Sequence, residues 1–186
     1  FLGADKAELL SVAQGMTGKK VVVKPLYGSG GEGIFIGPRE QVGEEEYRYP
    51  VLVQQFVKSE RGIPGFSTKN EVADLRLVYI NNELIYALSR IAKTGSLFTN
   101  FHKGATAVLV PLEKIPENVI SMTNKIIKGK INQFPRNNFS LDFIFDNAGE
   151  PTMVEMNTTP GFDLLHLVGT EKEKEHYFES FMQMLQ

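Results

Sequence analysis

Three side chains that can offer oxygen to a metal, Asp142, Glu155 and Asn157, fall within one stretch, residues 139–161, FSLDFIFDNAGEPTMVEMNTTPG. Alternating runs on either side of Asp146-Asn147-Ala148-Gly149 read as two antiparallel strands and their turn. Pairing across a loop of residues 147–150 sets 146 against 151, 144 against 153 and Asp142 against Glu155, with Asn157 on the same face. Leu141, Phe143, Phe145, Val154 and Met156 then form the opposite, apolar face, fit for a core. Carboxylates that face each other across a sheet repel, so this pair beside an amide oxygen asks for a cation. Oxygen ligands alone suit magnesium or manganese, with phosphates and water completing the shell. Taken alone, the hairpin also fits a wet outer sheet face with two acids.

A second constellation is the run Gly28-Ser29-Gly30-Gly31-Glu32-Gly33 behind a strand that ends in Lys24. Glycines let backbone N–H groups close over phosphate oxygens, and the lysine adds a point charge. No Gly-Lys-Ser/Thr follows, and the loop leads into a short strand rather than a helix, so neither a P-loop nor a dinucleotide fingerprint is present. A flexible hairpin tip is the alternative. In the middle of the chain Asp74 and Arg76, two positions apart, share a strand face. Arg90 lies on the following strand, and residues 100–104, Asn100-Phe101-His102-Lys103-Gly104, bring an amide, a histidine and a lysine in a loop.

These residues need a scaffold. Residues 4–14 read as a short helix, 19–24 as a buried strand stopped by Pro25, and 34–36 and 51–57 as further strands. Residues 58–70 form a polar, glycine-bearing connection. Two strands around Asn81-Asn82 predict a hairpin, since both asparagines tolerate positive φ. In regular register Ile80 pairs with Glu83 and Arg76 with Ala87, which puts Arg90 on the face away from Asp74; a β-bulge would return it. Residues 105–110 read as a strand and 116–134 as a helix whose Val119, Ile120, Ile126, Ile127, Ile131 and Phe134 share a face, weakened by Gly129. Tyr177, Phe178, Phe181, Met182 and Leu185 mark a C-terminal amphipathic helix.

The 186 residues suffice for one compact domain or for two small lobes sharing a site. A hydrophobic content of 42%, a charged content of 23% and a formal charge of −2 describe an ordinary globular protein without the basic block of a nucleic-acid or membrane-surface binder. With no cysteine, disulfides, thiolate metal sites and cysteine nucleophiles are excluded, which fits a reducing, cytoplasmic setting. No apolar run reaches the length of a membrane span. A start at Phe1 reads as a piece of a longer protein, and homo-oligomerisation is left open.

In order along the chain, Val22-Val23-Lys24-Pro25-Leu26 with Gly28 to Gly33, Val53-Gln54-Gln55-Phe56-Val57, Asp74-Leu75-Arg76, Arg90, the segment 100–104, Asp142 and Glu155-Met156-Asn157-Thr158-Thr159-Pro160-Gly161 resemble the ATP-grasp superfamily, in its glutathione-synthetase and ribosomal-protein glutamate ligase type. The resemblance covers residues 19–161. It implies an α+β fold of two lobes that hold ATP between them, the smaller over residues 1–57 and the larger over 58–186, and an N-terminal substrate domain outside this chain. It further implies that Lys24 and Gly28, Ser29, Gly30, Gly31 and Gly33 cover the phosphates, that Gln55 and Phe56 meet adenine, and that Asp74 and Arg76 contact the nucleotide. By the same resemblance Asp142, Glu155 and Asn157 hold magnesium, while Arg90 and Asn100 lie near the phosphates or the acyl group. Gln55 stands where relatives commonly have glutamate, and Phe98 where the ribosomal-protein ligases have arginine. The expected reaction is carboxylate–amine ligation through an acylphosphate, on amino-acid or peptide-like substrates, with ATP and magnesium or manganese. A kinase acting on a hydroxyl and a non-catalytic nucleotide-binding module are the alternatives.

Overall fold

The computed structural model describes residues 1–28, 30–67, 71–100 and 103–186. The chain divides into two units, Phe1–Val57 and Lys58–Gln186. Among the described residues no helix is long and apolar enough to cross a membrane.

The first unit is a four-stranded antiparallel sheet with one helix. Its strands are β1 (Leu2–Gly3), β2 (Lys20–Pro25), β3 (Phe35–Pro38) and β4 (Val51–Gln55), in the order β1-β4-β2-β3. The helix α1 (Lys6–Gly15) starts at Asp5, whose carboxylate accepts the Glu8 N–H at 2.9 Å and satisfies one of the donors a helix start leaves open. Alternation along β2 and β4 turns Val21, Val23, Val51 and Val53 towards Leu9 and Ala13 of α1, all fully or almost fully buried. Each such aliphatic side chain contributes about 1.5–3 kcal/mol by leaving water. Lys20, Val22 and Lys24 point to the other side of the sheet, with Leu52 and Gln54 of β4 in register beside them.

The second unit is a five-stranded antiparallel sheet, order β7-β6-β5-β8-β9, with helices on both faces. The strands are β5 (Ala73–Ile80), β6 (Glu83–Ile91), β7 (Thr106–Leu109), β8 (Asn138–Phe145) and β9 (Pro151–Asn157). One face, with Leu75, Leu77, Ala87, Phe139, Leu141, Phe143 and Phe145, packs on α2 (Glu117–Ile126) through Val119. On the opposite face Val78, Ile80, Tyr86 and Leu88 pack against Leu165 of α3 (Asp163–Val168) and Tyr177 and Met184 of α4 (Glu171–Leu185). The α+β expectation therefore holds, with two antiparallel sheets and their helices.

The hairpin turn at Asn81 and Asn82 takes positive φ at both residues, 51° and 68°, as its composition predicts. A bulge between Val78 and Tyr79 then shifts the register, so that Asp74 pairs with Arg90 and Arg76 with Leu88. The charged side chains of β5 and β6 thereby share one face, which regular pairing would not allow.

Four expectations need correction. In the β8–β9 hairpin the pairing begins one residue earlier than expected, Phe145 with Pro151 and Phe143 with Met153, and a bulge that skips Val154 brings Asp142 opposite Glu155. The predicted apolar face is real on β8 but not on β9, because β9 is an edge strand, and Met156 is 42% exposed. The helix predicted over 116–134 is α-helical only to Ile126, then passes into a π-turn, Ile127–Ile131, containing Gly129; Phe134 lies beyond it and is exposed. The buried stripe of α4 is Tyr177, Phe181 and Met184, spaced by four and three residues, leaving Phe178, Met182 and Leu185 exposed.

Candidate functional site

In the first unit β2 and β3 form an antiparallel pair, with Val23 opposite Phe35, and the glycine loop joins their ends. Gly30, Gly31 and Gly33 have φ of 67°, 76° and 68°, values that L side chains rarely adopt, which is the physical reason for three glycines in four positions. At Gly33 a Cβ would also stand 3.0 Å from Pro25 Cγ. Gly28 is exposed, and Ser29 lies outside the described residues. Lys24 is half-buried near the end of β2, paired with Leu52. Gln55 closes β4 opposite Val21, and its side-chain oxygen accepts from Thr17 Oγ1 at 3.4 Å. The Phe56 N–H donates to the Lys20 carbonyl at 3.3 Å, and Lys20 Nζ sits 5.6 Å over the Phe56 ring.

In the second unit Asp74, Arg76, Arg90 and Asp142 meet on one face of the sheet. Arg76 and Asp142 are register partners joined by a two-pronged ion pair, Nε to Oδ1 at 2.8 Å and Nη2 to Oδ2 at 2.7 Å. Arg90 pairs with Asp74 in the same manner, Nε to Oδ1 at 2.8 Å and Nη2 to Oδ2 at 2.5 Å, and Nη2 also reaches Asp142 Oδ2 at 2.6 Å. Thr99 Oγ1 donates to Asp74 Oδ2 at 2.5 Å. The side chains of Asp142, Asp74 and Arg90 are almost wholly buried, 1%, 4% and 8% exposed. Three charges at that depth persist because each is matched, Asp142 also by the half-buried Arg76; an unpaired one would cost several kcal/mol.

The two carboxylates are not equivalent. Burial raises the Asp74 pKa, and the charge of Arg90 offsets that only in part, with Asp142 adding repulsion. Burial acts on Asp142 in the same direction, but the charge of Arg90 and the hydrogen bond and charge of Arg76 outweigh it and hold its pKa below the usual value. Desolvation works against the Arg90 charge, yet Asp74 and Asp142, with Glu155 further off, hold its pKa above the ordinary value.

Glu155 is exposed and directly opposite Asp142, while Asn157 lies opposite Ser140, two positions along the same face. Asn157 Oδ1 accepts the Thr159 N–H at 2.9 Å and keeps a second lone pair. Among the described residues no three His, Cys, Asp or Glu side chains gather as a metal cluster. The predicted set has only two carboxylates and an amide, a donor set that fits magnesium when phosphates and water complete the octahedron. Among the described residues Asp142 Oδ1 accepts a single N–H, from Arg76 Nε, which leaves it lone-pair capacity for a cation. With Glu155 counted, three carboxylates face two guanidinium groups, so this face carries one net negative charge towards a cation.

The hairpin reading anticipated Asp142 facing Glu155 but not that Arg76 and Arg90 neutralise Asp142. Two charged residues inside otherwise apolar strands, at 74 and 76, were the available signal. Thr99 was not among the expected residues; a single hydroxyl in a loop gives no pattern. Asn100 lies beside it, and its carbonyl accepts the Lys103 N–H at 2.9 Å. His102 lies outside the described residues. Phe98 carries the Lys103 ammonium 5.1 Å over its ring. A surface depression of about 420 Å³ is lined by His166, Glu171, Lys174, Glu175, Phe178 and Glu179, none of them a predicted site residue.

Comparison with known proteins bears on the family and the fold. The family model described as RimK-like ATP-grasp domain matches residues 4–175. A probable alpha-L-glutamate ligase of Vibrio parahaemolyticus is 26% identical over 162 residues, 84% of this chain and 48% of that protein. The chain thus spans about half the length of the curated relatives it matches. The crystal structure of D-cycloserine synthetase DcsG is similar over 100% of this chain and 64% of its own, with a TM-score of 0.68 at 12% identity. The ATP-grasp ligase PsnB, solved with a phosphomimetic variant of its minimal precursor, Mg and ADP, is similar over 99% of this chain and 52% of its own, with a TM-score of 0.59 at 13% identity. With its family model matched over nearly its whole length and its fold shared with these ligases, the chain belongs to the RimK-like ATP-grasp domain family.

Proposed function

We propose that this chain is the ATP-grasp part of an ATP- and magnesium-dependent ligase that joins a carboxylate to an amine. The observation that carries the reading is the Asp142–Glu155 register beside the guanidinium groups of Arg76 and Arg90. Such a face suits the polyphosphate of a metal nucleotide, because acids and an amide hold the cation while the arginines meet anionic oxygens.

In this proposal Lys24 and the glycines at 28, 30, 31 and 33, with Ser29, cover the phosphates, and Gln55 and Phe56 meet adenine. Asp74 and Arg76 belong to the nucleotide side, and Asp142, Glu155 and Asn157 hold magnesium, for which manganese is a substitute. Bound magnesium would neutralise phosphate charge. Arg90 and Asn100 lie where the γ-phosphoryl group passes to the substrate carboxylate. The carboxylate oxygen attacks phosphorus as the bond to ADP breaks, giving an acylphosphate; the amine then attacks the acyl carbon and phosphate leaves. Positioning and charge supply the catalysis, so the lack of a cysteine or a triad is no obstacle. Relatives named for glutamate make glutamate the first substrate to screen, within an amino-acid or peptide-like class. The lack of cysteine supports a cytoplasmic setting.

Titration calorimetry of the full-length protein with a non-hydrolysable ATP analogue, with and without magnesium, tests the reading. Magnesium-dependent binding that Glu155→Gln weakens is expected; equal affinity in the variant at limiting magnesium overturns the metal assignment. Hydroxylamine trapping then separates ligase from kinase, since an acylphosphate yields a hydroxamate and a phosphate ester does not.

A further inference from the structure

Thr99 stands outside the strands and helices, one residue before Asn100, yet its hydroxyl is tied to the charged cluster. Asp74 Oδ2 accepts from both Thr99 Oγ1 and Arg90 Nη2, each at 2.5 Å, and Asp74 Oδ1 accepts from Arg90 Nε at 2.8 Å. The two-pronged contact fixes the plane of the guanidinium relative to the carboxylate. What fixes the carboxylate is a separate matter, because the terminal torsion of an aspartate is broad. The Thr99 hydroxyl supplies that restraint, and with Asp74 3% exposed there is little water to replace it.

The restraint matters because a second acceptor competes. Arg90 Nη2 is also 2.6 Å from Asp142 Oδ2, so the same nitrogen is shared by two carboxylates. If the hold on Asp74 slackens, Arg90 turns towards Asp142. Of the five guanidinium N–H groups, Asp74 and Asp142 engage those on Nε and Nη2, which among the described residues leaves the pair on Nη1 for a ligand. The direction in which Nη1 points therefore depends on how Asp74 is held.

We propose that Thr99 is a positioning residue: by fixing Asp74 it sets the orientation in which Arg90 presents Nη1 to an anionic group, a phosphoryl oxygen or a substrate carboxylate. The ligand class rests on the function proposed above; the positioning itself does not. The bond also ties Thr99, and with it its chain neighbours Phe98 and Asn100, to the cluster.

The test uses the full-length protein as wild type, Thr99→Val and Thr99→Ser, with two readouts. One is the arginine Nε–Hε NMR signal of Arg90, identified by its loss in Arg90→Lys; the other is calorimetric affinity for the magnesium complex of a non-hydrolysable ATP analogue. Thr99→Val is expected to move or broaden the Arg90 signal and to weaken binding about tenfold, the scale of a lost hydrogen bond to a charged group. Thr99→Ser, which keeps the hydroxyl, is expected to keep both within about twofold of wild type. An Arg90 signal unmoved in Thr99→Val overturns the proposal, as does equal damage in the valine and serine variants, which would assign the effect to shape rather than to the hydroxyl. If wild type itself binds no nucleotide, the proposed function fails, and the Arg90 signal still decides whether Thr99 positions the arginine.

Discussion

Arg90 and Asp142, 52 residues apart in the chain, meet at 2.6 Å through the same Nη2 that reaches Asp74 at 2.5 Å. One buried guanidinium thus bridges two carboxylates on different strands, and its removal leaves Asp74 buried without a cation. Arg90→Ala should destabilise the protein by about 3–5 kcal/mol. Arg90→Met combined with Asp74→Leu removes the uncompensated charge along with its partner, while Arg76 still pairs Asp142, and most of the stability should return. Urea denaturation of the two variants checks this. Equal losses in both would mean that side-chain packing rather than charge matching sets the cost.

The same cluster gives stability a pH dependence with two opposed arms. The folded-state pKa of Asp142 is depressed below its ordinary 3.8, so its contribution is present above that value and is lost as pH falls through the folded value. Asp74 is raised above 3.8, so its contribution is complete below that value and is lost as pH rises through its folded value. From these two groups alone stability peaks near pH 3.8. Asp74→Asn should flatten the alkaline side of that profile and Asp142→Asn the acid side, measured by denaturation from pH 3 to 7, the range of about one to three units around an ordinary carboxylate. An unchanged slope in Asp74→Asn would mean that its carboxylate is held no differently in the folded and unfolded chains.

The β8–β9 hairpin shows what was legible and why. Asp142 opposite Glu155 follows from alternation and the Asp-Asn-Ala-Gly turn, yet the route to it includes a bulge at Val154 that no pattern announces. A bulge adds one residue without changing residue types, and an apolar residue at 154 fits either face. The same holds in β5–β6, where the shift between Val78 and Tyr79 decides whether Arg90 joins Asp74. Sequence offered both outcomes there. The ion pairs Arg76–Asp142 and Arg90–Asp142 link residues 66 and 52 positions apart, beyond the reach of local spacing. Alternation puts Met156 on the apolar face with Leu141 and Phe143; strand order, which local alternation does not give, makes β9 an edge and leaves Met156 exposed.

Backbone conformation and a close neighbour together make Gly33 a restrictive position in its loop. With φ at +68° and Pro25 Cγ 3.0 Å from a would-be Cβ, Gly33→Ala meets both a disfavoured backbone region and a close neighbour. It should cost about 1–2 kcal/mol of local conformational energy and weaken affinity for a magnesium–ATP analogue by a comparable amount. Gly28→Ala, whose Cβ would meet nothing within 4 Å, serves as the control. If both variants bind alike, the loop does not need its observed conformation to bind.

Lys24 lies close to this loop, near the end of β2. Lys24→Ala should reduce affinity for the same analogue by about 1.5–3 kcal/mol, the scale of a lost hydrogen bond to a charged group, and should reduce affinity for adenosine far less. Comparing the two ligands by calorimetry isolates the phosphate contribution. Parallel losses for both would place the lysine's effect on the fold of β2 instead.

Two hydroxyls in the second unit, one half-buried and one fully buried, provide a contrast that tests the energetics directly. Thr99 Oγ1 has Asp74 as its partner, whereas Ser89 Oγ on β6, fully buried with Leu75 and Val108 as register neighbours, has none among the described residues. A buried hydroxyl without a partner has lost its water and gained nothing, so deleting it removes an uncompensated desolvation cost. Ser89→Ala should therefore leave stability unchanged or raise it by about 1 kcal/mol, while Thr99→Val lowers it by a similar or larger amount. Chemical denaturation of both variants under one condition decides the matter. A Ser89→Ala loss above about 1 kcal/mol would show that the hydroxyl is bonded in solution, through a water or a shifted rotamer, and that the two serve alike.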